Sequence, residues 1–200
     1  MSQRRSAPGK GRRKDSAAYR VAVTAVLTAL AMIFSYIEAV IPFNFGIPGI
    51  KLGLSNLVVL VALYSLGAGY AFAVNLTRIV LSGLLFSGVS AMLYSLSGGM
   101  LSFLVMLLLS RLDLFSPAGV SMAGGVSHNI GQITLAAIIT ETVKIYLYLP
   151  VLLISGTVTG LVLGIAGSMV LERMGHLKGG NRIYTHVRKE GDDQDESYSS

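Results

Sequence analysis

Apolar and polar residues follow one another along this chain in long blocks. Six apolar runs are separated by short polar or turn-forming stretches, and only the two ends lack an apolar pattern. About 20 apolar residues suffice for an α-helix to cross the roughly 30 Å hydrocarbon core of a bilayer. The runs predict helices at 19–41, 54–66, 70–85, 90–110, 119–140 and 146–171. We therefore expect an all-α, polytopic membrane protein with six transmembrane helices.

The composition agrees with a membrane protein. Of the 200 residues, 52% are hydrophobic and 13% are charged, whereas soluble domains carry about 25% charged residues. The charges concentrate at the ends, so we divide the chain into a basic, disordered tail at 1–18, a six-helix transmembrane domain at 19–172 and a polar tail at 173–200. The absence of cysteine excludes disulfides and thiol catalysis.

The basic residues of the two tails predict the orientation. Residues 1–20 contain seven Lys or Arg and one acid, and five more basic residues follow the last predicted helix. Positive residues flanking membrane helices stay in the cytoplasm, which predicts an even number of crossings in a bacterial plasma membrane, with both termini cytoplasmic. A contact of the first tail with RNA or anionic lipid is the alternative explanation of its charge. We expect membrane lipid, and no nucleic acid, as a partner.

A turn-rich break at 42–56 separates the first two predicted helices. Its prolines fix φ and remove backbone donors, while its glycines permit conformations that other residues avoid, so no helix or strand continues through it. Asn44, Lys51 and Asn56 lie within the break. The predicted orientation places it outside the membrane, where we expect a shaped loop that covers a ligand.

Polar residues lie at comparable depth within the third and fifth predicted helices. Arg78 lies near the middle of the third helix, where a charge costs at least about 2.5 to 3.5 kcal/mol, so it should face a partner or a wet cavity. We predict a substrate site for a small, anionic molecule, with Arg78 binding its carboxylate or phosphate. The predicted site residues are Glu38, Asn44, Lys51, Asn56, Asn75, Arg78, His128, Asn129 and Gln132. The alternative is a buried network in which Arg78 pairs with Glu38.

Small residues form faces on two helices. Ala18, Ala22, Ala25 and Ala29 share one face of the first helix, which is either internal packing or a docking face for a separate subunit. The last helix carries a second row, which predicts a close-packed seam between helices. Its members are Gly156, Gly160, Gly164 and Gly167.

The sequence contains no motif for catalysis. The three histidines lack metal-ligand spacing, and no P-loop is present, so any ATP would be hydrolysed by a partner. The acidic run 192–196 imitates the magnesium–diphosphate motif of prenyl synthases but lies in a low-complexity tail. We expect no catalytic residue, no metal and no cofactor.

Four segments together resemble a known family. They read SYIE at 35–38, PGIKLGLSN at 48–56, NLTR at 75–78 and SHNIGQ at 127–132. The chain from about residue 20 to 174 resembles the Gx transporter family, also labelled heptaprenyl diphosphate synthase component I. That family is in turn similar to the S components of energy-coupling factor (ECF) transporters.

The resemblance implies an S-component-like bundle in which the alanine face meets a coupling subunit and the loop after the first helix covers the ligand. Our first hypothesis is the substrate-binding subunit of an ECF-type importer for a vitamin, a cofactor precursor or a similar small solute, with a coupling subunit and ATPases as partners. The alternative is a non-catalytic membrane component I of heptaprenyl diphosphate synthase, in isoprenoid synthesis, with a soluble polyprenyl synthase subunit as partner.

Overall fold

The computed structural model describes residues 17–40, 53–112 and 114–175, and this part of the chain is helical without strands. The α-helices are α1 (Ala17–Val40), α2 (Leu54–Ser65), α3 (Ala68–Ser82), α4 (Gly88–Ser110), α5 (Pro117–Thr140) and α6 (Leu149–Arg173). A π-helical turn, Gly83–Ser87, extends α3, and a 3₁₀ helix, Val143–Tyr148, precedes α6. The all-α prediction is therefore confirmed for these residues. Most of the predicted loop, including Asn44 and Lys51, and most of both tails lie outside them.

The helices α3 and α4 form an antiparallel hairpin, although helical structure continues from Ala68 to Ser110. The Asn75 side chain donates a hydrogen bond to the Gly99 carbonyl at 3.0 Å. In a straight helix these residues would lie about 36 Å apart. The chain reverses at Gly88, whose φ of 81° lies in the region that favours glycine.

Within the described residues, three helical stretches are long and apolar enough to cross a membrane: Ala17–Val40, Ala68–Ser110 and Val143–Arg173. The second contains the hairpin, and each of its arms is long enough for a crossing of about 30 Å. By contrast, α2 has 12 residues and spans only about 18 Å. These lengths support a membrane protein, while six crossings remain a prediction.

The core of the bundle is built around α2 and α5. The helix α2 contacts each of the other five α-helices, and its residues from Val58 to Leu63 are all buried, as expected for a helix that is apolar on every side. The helix α5 packs against both α4 and α6. Its buried polar residues explain why α5, at 24 residues, is not among the apolar spans.

Glycines bring α5 and α6 into backbone contact. A Cβ on Gly160 would lie 2.7 Å from Met122 Cα, and one on Gly164 would lie 2.6 Å from Ala118 Cα. All four glycines of the predicted row are buried. The close-packed seam predicted from their spacing is confirmed, and three of the four glycines face α5 while Gly167 faces α2.

Candidate functional site

A polar cavity of about 30 Å³ lies where α1 ends, α2 begins and α3 turns into α4. That volume has room for one or two water molecules or one small polar group. Its lining residues are Ser35, Glu38, Ala39, Gly53, Ser55, Asn56, Arg78, Ser82, Ser87, Ser95 and His128. We call it the Arg78 cavity. A second cavity of about 20 Å³ shares Gly53, Asn56 and His128 with it and extends between α5 and α6.

Arg78 is the central side chain of the first cavity and is only 4% exposed. Its Nη1 donates to Ser55 Oγ at 2.7 Å, and its Nη2 donates to Asn56 Oδ1 at 3.1 Å and to Asn75 Oδ1 at 2.9 Å. A guanidinium has five N–H donors, so these bonds leave the Nε–H and one Nη1–H. The buried Nε has no hydrogen-bond partner within the described residues. Arg78 therefore binds three neutral oxygens and keeps donor capacity.

Glu38 comes to the same cavity from the end of α1. Its Oε1 accepts a hydrogen bond of 2.7 Å from the backbone N–H of Leu54, the first residue of α2. A carboxylate at this position satisfies one of the free N–H groups of a helix N-terminus and interacts favourably with the helix dipole. Glu38 also attracts the Arg78 guanidinium electrostatically. Glu38 thus caps α2 from another helix.

Asn75 lies behind Arg78 and links two helices. Its Oδ1 accepts from Arg78, and its Nδ2 donates to the Gly99 carbonyl on α4. The amide fixes the position of the guanidinium relative to the hairpin. Asn75 is 1% exposed and is not among the residues that line the cavity, so its contribution is to hold Arg78 in place.

The three predicted site residues of α5 lie in different surroundings. His128 lines both cavities, and Asn129 lines the second one. The Asn129 side chain donates to the Leu152 carbonyl at 2.7 Å and so ties α5 to α6. Gln132 is buried near Gly98 of α4 and lines neither cavity; its Oε1 has no hydrogen-bond partner within the described residues.

The predicted site residues are therefore brought together in part. Glu38, Asn56, Arg78 and His128 share the first cavity, and Asn75 supports it. Asn129 and Gln132 lie elsewhere on α5. Asn44 and Lys51 lie outside the part of the chain that the structure describes.

Residues 27–170 match the family model for heptaprenyl diphosphate synthase component I. The chain belongs to that family. The match begins within α1 and ends within α6, so it includes every residue that lines the two cavities. The resemblance to this family is thereby confirmed, whereas the similarity to S components, which rests on architecture, remains a prediction. No curated protein and no solved structure matches the chain.

Serine hydroxyls in the family's matched region were missed by the sequence prediction. Five of them line the Arg78 cavity: Ser35, Ser55, Ser82, Ser87 and Ser95. The sequence does carry a signal for Ser82, which lies four residues after Arg78 and therefore on the same helical face. Ser55 directly precedes the predicted Asn56. Ser35 lies three residues before the predicted Glu38 and shares its helical face. Only the tertiary fold brings Ser87 and Ser95 to the cavity.

The predicted docking alanines lie on the outer face of α1. Ala18, Ala22, Ala25 and Ala29 are all exposed, whereas Ala31 is the buried residue of that helix. The face is therefore not used for packing within the described bundle. Whether it receives a separate subunit remains a prediction.

Proposed function

We propose that this chain is the non-catalytic membrane component of a heptaprenyl diphosphate synthase and that it works with a soluble catalytic subunit. The observation that carries this proposal is the family match over residues 27–170, from α1 to α6. The match supports a role for the helical bundle itself, since neither tail contributes to it.

A physical argument supports a membrane-embedded partner for such a synthase. The product carries a long isoprenoid chain that partitions into the bilayer, whereas its diphosphate remains at the surface. The outer faces of α1 and α6 expose large apolar residues, among them Val26 and Ile165, which suits contact with lipid. In the proposed topology the chain crosses the plasma membrane six times, and both basic tails lie in the cytoplasm beside the soluble subunit.

Purification of the tagged full chain from its own cells tests this function. We expect a soluble prenyl synthase to copurify in mild detergent and the eluate to form heptaprenyl diphosphate, with release of inorganic diphosphate, from a shorter allylic prenyl diphosphate and isopentenyl diphosphate. Deletion of the gene should lower that activity in membranes, and the wild-type gene should restore it. A deletion strain with unchanged synthase activity, together with an eluate that contains no synthase, would contradict the proposal.

The second candidate is a substrate-binding subunit of an ECF-type importer for a small solute. The burial of Arg78 in a polar cavity of an apolar bundle favours it, because intramembrane charges commonly mark solute pathways. The cavity of about 30 Å³ is far smaller than the roughly 300 to 1,000 Å³ of typical organic-ligand sites. The same purification distinguishes this function, since a transmembrane coupling protein and ATPases would then copurify in place of a synthase.

A further inference from the structure

The N-terminus of α2 opens onto the Arg78 cavity. Gly53, Ser55 and Asn56 of this helix end line the cavity. The helix dipole gives such an end a partial positive charge that attracts anions, although the N–H groups of Leu54 and Asn56 already donate to Glu38 and to the Gly53 carbonyl. Arg78, which binds the side chains of Ser55 and Asn56, adds a full positive charge. Two independent features therefore favour negative charge at one place.

A carboxylate of the protein already occupies part of this positive region. Glu38 Oε1 accepts the Leu54 N–H at 2.7 Å, which is the kind of bond that a bound anion makes at a helix N-terminus. With Arg78 and Glu38 both charged, the formal charges of these two groups cancel. A second anion would therefore meet repulsion from Glu38 as well as attraction from Arg78.

Donors in the cavity nevertheless remain available. The buried Arg78 Nε–H has no hydrogen-bond partner within the described residues, and the same holds for Ser35 Oγ. Both residues line the cavity. Leaving a buried polar group without a partner typically costs about 1 to 3 kcal/mol. The volume of about 30 Å³ admits a single small polar group next to these donors.

We propose that Arg78 and Ser35, beside the first turn of α2, form a site for one oxyanion group, a carboxylate or a phosphate, and that the charge of Glu38 opposes its binding. The incoming oxyanion accepts from Arg78 Nε–H and from the Ser35 hydroxyl, and the remainder of its molecule lies outside the cavity. This site goes beyond the proposed function and does not depend on it. The oxyanion belongs either to the headgroup of a prenyl diphosphate or to a free anion, and the experiment separates these sources.

The Glu38→Gln variant tests whether the charge of Glu38 opposes anion binding. The amide oxygen of Gln still accepts from Leu54 N–H, while the negative charge is removed. The full chain, purified in mild detergent without phosphate, is titrated with inorganic phosphate, acetate and a short prenyl diphosphate by calorimetry. We expect at least about tenfold tighter binding of the preferred probe by Glu38→Gln than by the unmodified chain. The matched control, Glu172→Gln, removes an exposed carboxylate at the opposite end of the bundle and should leave the affinity unchanged.

Variants of the donor groups identify where the probe binds. In the Glu38→Gln background, Arg78→Lys should weaken binding by about 10- to 100-fold, because it keeps the charge but loses the planar fork. Ser35→Ala should weaken it by about three- to tenfold. If Arg78→Lys does not give a monodisperse protein, Ser35→Ala alone tests the site. The Ser35 hydroxyl has no hydrogen-bond partner within the described residues, so its removal should affect folding little.

The outcomes separate the ligand sources and the competing explanation. Preferential binding of the prenyl diphosphate indicates a lipid-linked headgroup, while equal or tighter binding of phosphate or acetate indicates a free anion. If no probe binds Glu38→Gln, or if Ser35→Ala and Arg78→Lys bind as tightly as their parent, Glu38 is only a helix cap and the proposal is wrong. Copurification of a synthase is measured separately, so either proposal can fail alone.

Discussion

Substitution of Gly160 by alanine provides a sharp test of the α5–α6 packing. The added Cβ would lie 2.7 Å from Met122 Cα and 2.8 Å from Ser121 O. Carbon atoms in ordinary contact lie about 3.5 to 4.0 Å apart, so α6 would have to move away from α5 by roughly 0.8 Å. Both neighbours are backbone atoms, and no change of rotamer relieves the contact.

The expected loss of stability follows from two opposing terms. Overpacking typically costs about 1 to 3 kcal/mol, and the upper end applies because backbone atoms must move. Replacement of a helical glycine by alanine returns about 1 kcal/mol. The net loss in the free energy of unfolding is therefore about 2 kcal/mol, which corresponds to a Tm lower by roughly 4 to 8 °C for a chain of this size.

Gly69→Ala is the matched control, because it makes the same chemical change near the start of α3 with no atom within 4 Å of the added Cβ. We expect this variant to keep or slightly raise the Tm. Thermal unfolding of both variants is followed by circular dichroism on the full chain in the same detergent. Equal Tm values for Gly160→Ala and Gly69→Ala would refute the close approach of α5 and α6.

Three further predictions concern other parts of the bundle. Asn129→Ala removes the hydrogen bond to the Leu152 carbonyl and should lower the free energy of unfolding by about 1 kcal/mol, measured by the same thermal assay. Ala25→Trp and Ala29→Trp place a ring on the exposed face of α1, so the Tm should stay nearly unchanged while any partner that docks there is lost from the purification; retention of the partner would contradict a docking role. A reporter fused after Ser200 should be cytoplasmic, and an extracytoplasmic signal would exclude six crossings with both termini inside.

Local sequence patterns predicted much of the fold. Apolar runs identified the helices because each helix that crosses a bilayer must itself be apolar over its length. The glycine spacing on α6 predicted its seam because residues three or four apart share a helical face. Each pattern is visible in the sequence of a single helix. The glycine spacing could not show that the helix packed against the seam is mainly α5.

The size and role of α2 could not be predicted from the same patterns. A buried helix in the centre of a bundle and a helix that faces lipid are equally apolar, so the run at 54–66 suggested a crossing. The structure gives 12 residues that contact all the other α-helices. Likewise, the depth of Arg78 predicted that it needs partners, but its bonds to Ser55 and Asn56 depend on where α2 begins in three dimensions.

The presence of Arg78 inside the bundle does not by itself require a ligand. A charge near the middle of a membrane helix costs about 2.5 to 3.5 kcal/mol on insertion scales, and hydrogen bonds to a charged group contribute about 1.5 to 3 kcal/mol each. The three bonds from Arg78 to Ser55, Asn56 and Asn75 are therefore sufficient to offset that cost. The argument for a ligand rests on the donor that these bonds leave unused, the Arg78 Nε–H. A purely structural arginine gains nothing from an unused buried donor. If Arg78 has only a structural role, removal of the Glu38 charge should not create anion binding; if Arg78 binds a ligand, anion affinity should rise.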